Sequence, residues 1–354
     1  TSYLPDGRPR TTEGVNENHF HTRSNFALSV LKLGLVTGRR EYVAWARQSY
    51  ARLQSWGTEF GWFPEGFGHR HGEICCTTDM IELALLLGQH VDRGYYADAE
   101  RYGRNHLLES QFLSPAMLQS ALEIMPGEER PAPHGGRYST FDGVAESQIG
   151  GFAARSTLND AFHLDAPAMM QCCNAAGARG LYDLWRYAVE ESAGPSGENK
   201  STETPTHWVH LRFSVATPTL RVVSHEPTAG RLDLVAAQPS LVAVRLPSGT
   251  TQALTIQTGA NGAAEVGETT AQNGYVTVNL GPGQSATLHY PLAERTTHYE
   301  VGAPGRTLAG SGAWRGETLM RIDPPGPYYP LYQRSADLPP VQPALPAQPL
   351  FDSV

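Results

Sequence analysis

Apolar positions in the first half of the chain recur every three to four residues. Residues 25–37 carry Phe26, Leu28, Val30, Leu31, Leu33 and Leu35, and Gly38 follows. That spacing predicts an amphipathic helix closed by a glycine. A second helix is predicted over 42–56, with Val43, Ala46, Tyr50 and Leu53 in step and Gly57 behind it. Thr78 and Asp79 can cap a third over 80–90, and a fourth runs over about 96–111. Residues 112–160 are rich in Gly, Pro and Ser and predict a long excursion with one short helix near 118–124. A further helix is predicted over about 174–191, through Leu181, Leu184, Trp185 and Ala188.

The period then changes. After a polar stretch containing Gly194-Pro195-Ser196-Gly197, residues 208–213, 220–223, 232–235, 241–246, 275–280 and 285–290 alternate with period two. Short turns between such runs argue for a β-sandwich. Pro339, Pro340, Pro343, Pro346 and Pro349 make the tail extended or disordered. Helices first and strands second argue for two domains and against a parallel α/β sheet. The expected division is a helical domain over 1–192 carrying the site, a linker over 193–205, a sandwich over 206–335 and a Pro-rich tail over 336–354. Helices paired in series suggest a toroid. About six long ones are evident, too few for a closed double ring of twelve.

The 354 residues suffice for two cores. With 27 basic against 35 acidic residues, no run of Lys and Arg marks a nucleic-acid groove, and no nucleic-acid partner is expected. No apolar stretch approaches the ~18 residues of a membrane span. The chain opens on Thr1 in loop-like sequence and reads as a piece of something longer. A cytoplasmic location is the expectation, with a leader upstream left open. Apolar helix faces left uncovered in a partial toroid make a homodimer a further expectation.

Every cysteine sits in one of two doublets, Cys75-Cys76 and Cys172-Cys173. Four cysteines do not make a disulfide-stapled scaffold, and adjacent cysteines rarely bridge each other, so reduced thiols are expected. In an extended stretch Glu73 and Cys75 share one face. Cys172 and Cys173 open a helix, where backbone N–H groups lower thiol pKa values. Three thiolates and a carboxylate suit four-coordinate zinc. The bland alternative is that buried cysteine is a small apolar residue. His69 and His71 are alternative ligands to Glu73, or donors around it.

Gly72-Glu73-Ile74-Cys75, followed by Asp79-Met80-Ile81-Glu82-Leu83-Ala84-Leu85, resembles the Gly-Glu-x-Cys helix start of the β-L-arabinofuranosidases of glycoside hydrolase family 127. Cys172-Cys173-Asn174 through Arg179 resembles that family's Cys-Cys helix start, and His19-Phe20-His21-Thr22-Arg23 its histidine segment. Trp314-Arg315-Gly316-Glu317-Thr318 and Pro330-Leu331-Tyr332-Gln333-Arg334 are weaker matches to the sandwich ends of bacterial members. The resemblance implies a partial (α/α)6-barrel-type helical toroid followed by an antiparallel β-sandwich, and hydrolysis of a carbohydrate substrate with retention. It also implies Zn2+ held by Glu73, Cys75, Cys172 and Cys173, with Cys172 the nucleophile. Cys76 is a thiol the pattern does not require.

A retaining reaction needs a second group to protonate the departing oxygen and then activate water. Glu65, in Glu65-Gly66-Phe67, resembles the family's Glu-x-Phe, although its interval to Glu73 is short; Glu59 is the other candidate. A surface-loop carboxylate is the bland reading of each. His21 and His19 are candidates to bind a sugar hydroxyl, or are helix-entry histidines. Trp62 and Phe63 can stack on a sugar face, or belong to the core. Arg179 faces either the site or a buried carboxylate, and His163 and Asp165 are weaker pocket candidates. Two other classes stay open: a carbohydrate-binding scaffold with a structural zinc, and a polysaccharide lyase using Tyr and His on a helical toroid.

Overall fold

Helix α1, Phe20–Thr37, buries Phe20, Ser24, Ala27, Leu28, Leu31 and Gly34, a stripe of three- and four-residue steps. Gly38 ends it in the left-handed conformation, at φ 69°, where a side chain would be strained. The helix begins five residues before the predicted start, because its first turn is built of His, Thr, Arg and Ser and hides the apolar repeat. Helix α2, Arg40–Gln54, packs against α1. In this computed structural model the described residues are 19–66, 68–124, 144–163, 169–192, 207–247, 254–259, 271–272, 274–302 and 307–335. The predicted linker, 193–205, the tail and Asp165 lie outside them.

Helix α3, Ile74–His90, is buried on nearly every face and packs against α1. Its start corrects the sequence reading in two ways. Cys75 stands on the first helical turn, not in an extended stretch. Thr78 and Asp79, expected as the cap, lie inside the helix, where the Thr78 hydroxyl donates back to the carbonyls of Ile74 and Cys75 at 3.1 and 3.0 Å. The extended backbone stops at Glu73, because Gly72–Glu73 (β1) pairs antiparallel with Arg155–Ser156 (β2). Helix α4, Tyr96–Tyr102, packs on α3 and runs on through a π-helical turn, Gly103–Leu107. Two shorter helices, α5 (Pro115–Ile124) and α6 (Val144–Ser147), fall within the predicted excursion, and α7 spans Gln171–Ala188.

Two compact units result. The first gathers described residues of 1–186, 294–314 and 318–333, the second those of 187–293, 315–317 and 334–335. The second unit holds two five-stranded sheets. One runs in the order 271–272, 275–280, 240–245, 207–209 and 189–191. It is antiparallel except where 207–209 pairs parallel with 240–245. The other runs 215–216, 220–224, 231–236, 285–289 and 255–259, all antiparallel. Alternation holds within them: Leu232, Leu234 and Ala236 are buried, as are Ala286 and Leu288.

The expected sandwich range is divided differently in the structure. Strands 294–301, 308–315 and 318–323 form a separate three-stranded sheet that belongs mainly to the first unit. Period-two alternation announces a strand without saying which core it joins. Here Tyr299, Trp314, Leu319 and Tyr332 enter one aromatic core with Phe60, Trp62, Phe112 and Phe162. Trp62 is 1% exposed and its indole N–H donates to the Ser156 carbonyl at 3.2 Å. It therefore presents no ring to a sugar, and the core alternative holds for it and for the buried Phe63. Among the described residues no helix is long and apolar enough to cross a membrane.

Candidate active site

Two helix N-termini bring the distant cysteines together. Cys75 sits on the first turn of α3, and Cys172 and Cys173 on the first turn of α7. Their three sulfurs all lie within 4.8 Å of one another. The Cys75 thiol donates to Cys173 Sγ at 3.6 Å, Cys172 Sγ lies 3.9 Å from Cys173 Sγ, and the Cys173 thiol reaches the Ala154 carbonyl at 3.5 Å. Glycines on α7 allow this approach. A Cβ on Gly180 would meet Thr78 of α3 at 2.6 Å, and one on Gly177 would meet the Phe152 ring at 2.3 Å.

The thiols differ in setting. Cys75, Cys76 and Cys173 are buried, whereas Cys172 is exposed, and none is in a disulfide. The hydrogen bond to Cys173 pushes Cys75 far up, and burial adds to it. Burial and the neighbouring Cys173 push Cys172 up as well. Cys173, which accepts the Cys75 proton, is the one drawn down. Adjacent thiolates repel, so each ionisation opposes the next unless a cation lies among them. A soft, closely spaced donor set at two positive helix ends fits a thiophilic divalent metal.

Beside the thiols stands a second polar group. Glu73 is buried; its charge adds to the upward push of burial on Cys172 and works against the net downward shift that the Cys75 hydrogen bond gives Cys173. Its carboxylate oxygens lie 3.4 Å from His19 Nε2 and 3.7 Å from Arg155 Nε. It groups with His19 and Glu65, whereas the other three expected metal ligands group together. Glu65 is buried too, with Arg155 on Oε1 and His71 Nε2 in direct contact with Oε2. Burial pushes the Glu65 carboxyl up, but the His71 hydrogen bond and the charge of Arg155 outweigh it, leaving the group below the ordinary carboxylate range. Burial likewise draws His71 down. The His163 ring lies 4.9 Å from that of His71 and, with Arg70, Asn159, Phe162 and Tyr328, lines a cavity of about 500 Å³.

Glu59 is engaged elsewhere. Its two oxygens accept from both terminal nitrogens of Arg295 at 3.0 Å. Arg155 is a residue the sequence reading missed, and Asp79 is one it took only for a helix cap. The fully buried Asp79 carboxylate accepts from His21 Nδ1 at 2.7 Å, Ser24 Oγ at 2.7 Å and Arg179 at 2.6 Å. The buried-carboxylate alternative for Arg179 is thus the observed one. Both Asp79 and Arg179 fall inside helices that the pattern does find, but a buried acid has no periodic signature.

The hydrogen bond to Asp79 raises His21 above its ordinary range despite burial. A raised histidine adds stability below its unfolded pKa near 6.5, and that contribution is lost as pH rises through the folded pKa. Asp79→Asn is expected to return the His21 titration, followed by NMR of the ring protons, toward or below 6.5. It should also destabilise the fold by about 1–2 kcal/mol, because Arg179 loses one carboxylate partner and keeps the other, Glu82, at 3.3 Å. An unchanged His21 titration in the variant would contradict the pairing.

No protein-family model matches the chain, and no curated protein sequence matches it. Solved structures do resemble it. A GH127 β-L-arabinofuranosidase from Geobacillus stearothermophilus T6 aligns with TM-score 0.52 at 10% identity over 85% of this chain and 46% of its own. A glycoside hydrolase aligns with TM-score 0.56 at 13% identity, over 90% and 54%. The GH127 β-arabinofuranosidase BT3674 gives 0.51 at 12%, over 85% and 47%. The chain shares the fold of these proteins and spans about half their length.

Proposed function

We propose that the protein is a retaining glycoside hydrolase that uses a metal-activated thiolate, with β-L-arabinofuranosyl groups as its substrate class. The observation that carries this reading is the mutual contact of Cys75, Cys172 and Cys173 at two helix N-termini. The fold likeness to GH127 β-L-arabinofuranosidases supports it. Cys75, Cys172 and Cys173 would hold zinc, with Glu73 at the edge of the group. Bound there, zinc keeps the thiols ionised at neutral pH.

The chain's own residues then divide the work. Cys172 Sγ attacks the anomeric carbon as the bond to the leaving oxygen breaks, and a thioglycoside forms. Water attacks in the second step and frees the cysteine. Glu65, ionised between His71 and Arg155, is set to accept the proton of that water. For the first step it must carry a proton to the leaving oxygen, so displacement of Arg155 or His71 by substrate has to raise it. His19, 3.8 Å from Glu65 Oε1, and His21 offer donors for sugar hydroxyls.

The exposure of Cys172 favours this reading over a structural zinc, since a closed structural site buries its ligands. The test is a panel of nitrophenyl furanosides and pyranosides with the reduced protein, before and after chelation. The expected outcome is cleavage of the β-L-arabinofuranoside that falls at least tenfold on chelation and returns with zinc. Cleavage indifferent to chelation would overturn the thiolate reading and favour a lyase or carboxylate mechanism. Sugar binding without turnover would favour the scaffold.

A further inference from the structure

We infer that the turn from Glu65 to His71 is a second metal site, distinct from the thiol cluster, which takes a borderline divalent ion through one carboxylate oxygen and two imidazoles. The ligand atoms of Glu65, His69 and His71 lie within 4.8 Å of one another. Both imidazoles address the same oxygen: His71 Nε2 is in direct contact with Glu65 Oε2, and His69 Nδ1 lies 3.6 Å from it. The other oxygen, Oε1, is held by Arg155. The carboxylate is thereby divided, one oxygen toward the guanidinium and one toward the histidines.

The backbone fixes this arrangement before any ion arrives. The Glu65 N–H donates to the His71 carbonyl and the His69 N–H to the Gly66 carbonyl, both at 2.9 Å. Pro64 and Gly72 bridge across the base of the turn. Three ligands from one short turn cost little closure entropy. Glu65 is buried, His71 half-buried and His69 exposed, so the group has a wet side through which an ion enters and keeps water ligands. Imidazole and carboxylate suit Zn2+, Co2+ and Ni2+, and three protein ligands leave positions open. Arg155 repels an incoming cation, which makes this site weaker than one built of thiolates.

No thiol takes part, but the site shares Glu65 and its partner His71 with the proposed acid/base step. It bears on that step in one way: an ion on Oε2 captures the Glu65 carboxylate and should inhibit any step in which Glu65 moves a proton.

Cobalt titration of the reduced full chain, followed optically, separates the two sites. The expected result is two equivalents. The first brings intense sulfur-to-cobalt charge-transfer absorption, and the second adds only weak d–d bands. His69→Ala/His71→Ala should take up one equivalent with the charge-transfer band intact. His69→Ala alone, at an exposed position, should weaken the second equivalent at least tenfold while leaving the circular dichroism unchanged. Saturation of the wild-type chain without any uptake lacking the charge-transfer band would overturn the proposal, as would full uptake of that equivalent by the double variant. Absence of the charge-transfer band altogether would sink the thiolate reading but not this one, provided the remaining equivalent disappears in the double variant.

Discussion

Replacing Cys172 by serine is expected to lower kcat on an arabinofuranoside by on the order of 10⁴ or more, with the fold intact. Serine is close to isosteric, and Cys172 is exposed, so the stability of the metal-free chain should change by less than about 0.5 kcal/mol. The chemical change is far larger. In the cysteine protein a cation held by the cluster would favour the thiolate of a group whose ordinary pKa is only about 8.5, its proton passing to solvent. A hydroxyl is a much weaker acid and a poorer soft-metal ligand, so the variant loses both the ionised nucleophile and its leaving ability in the second step. The loss should appear in kcat, because Cys172 offers the sugar little ground-state binding. Cys172→Ala should behave alike. If either variant stays within tenfold of wild type with matching circular dichroism, the nucleophile lies elsewhere.

What was legible in the sequence depended on whether a signal was local. The cysteine doublets were, because two thiol pairs beside Glu73 and two histidines are rare enough to suggest convergence before any coordinates. The backbone under Cys75 was not. Its helix starts at Ile74 because the preceding strand ends where β2 runs out, and β2 is two residues long inside a Gly-, Pro- and Ser-rich stretch. Arg155 was hidden for the same reason: its partner Glu73 is adjacent only through that short ribbon. The sheet over 294–323 was legible as strands, yet its allegiance to the helical unit rests on Tyr299, Trp314 and Leu319 meeting Phe60 and Trp62, a long-range fact. Trp62 shows the limit of composition, since a ring beside candidate acids reads equally as a sugar platform or as core. The setting of the Glu65 carboxyl was not legible either. Burial does push it up, but His71 and Arg155 decide the balance.

Zinc should stabilise the chain through the thiols, and Cys173→Ala should erase that effect. Cys173 is 0% exposed and central in its cluster, touching Cys75 at 3.6 Å and Cys172 at 3.9 Å. Without it the two remaining sulfurs cannot form a three-thiolate shell. An ion bound to the folded state alone adds RT ln(1 + [L]/Kd), about 4 kcal/mol at a thousandfold excess over Kd. At roughly 2–4 °C per kcal/mol for a unit of this size, the melting midpoint should rise by roughly 8–16 °C. The alanine variant, measured without added metal, should lose only about 1–2 kcal/mol, the cost of a small void and of an unpaired Ala154 carbonyl. With zinc, its midpoint should gain less than a third of the wild-type shift. His69→Ala/His71→Ala provides the contrast, because it leaves the sulfurs untouched and should keep most of the shift. The reverse pattern, with the shift surviving Cys173→Ala and lost with the histidines, would move the stabilising ion from sulfur to the Glu65 turn. The same measurement therefore separates a metal that holds two helix ends together from one that merely decorates a loop.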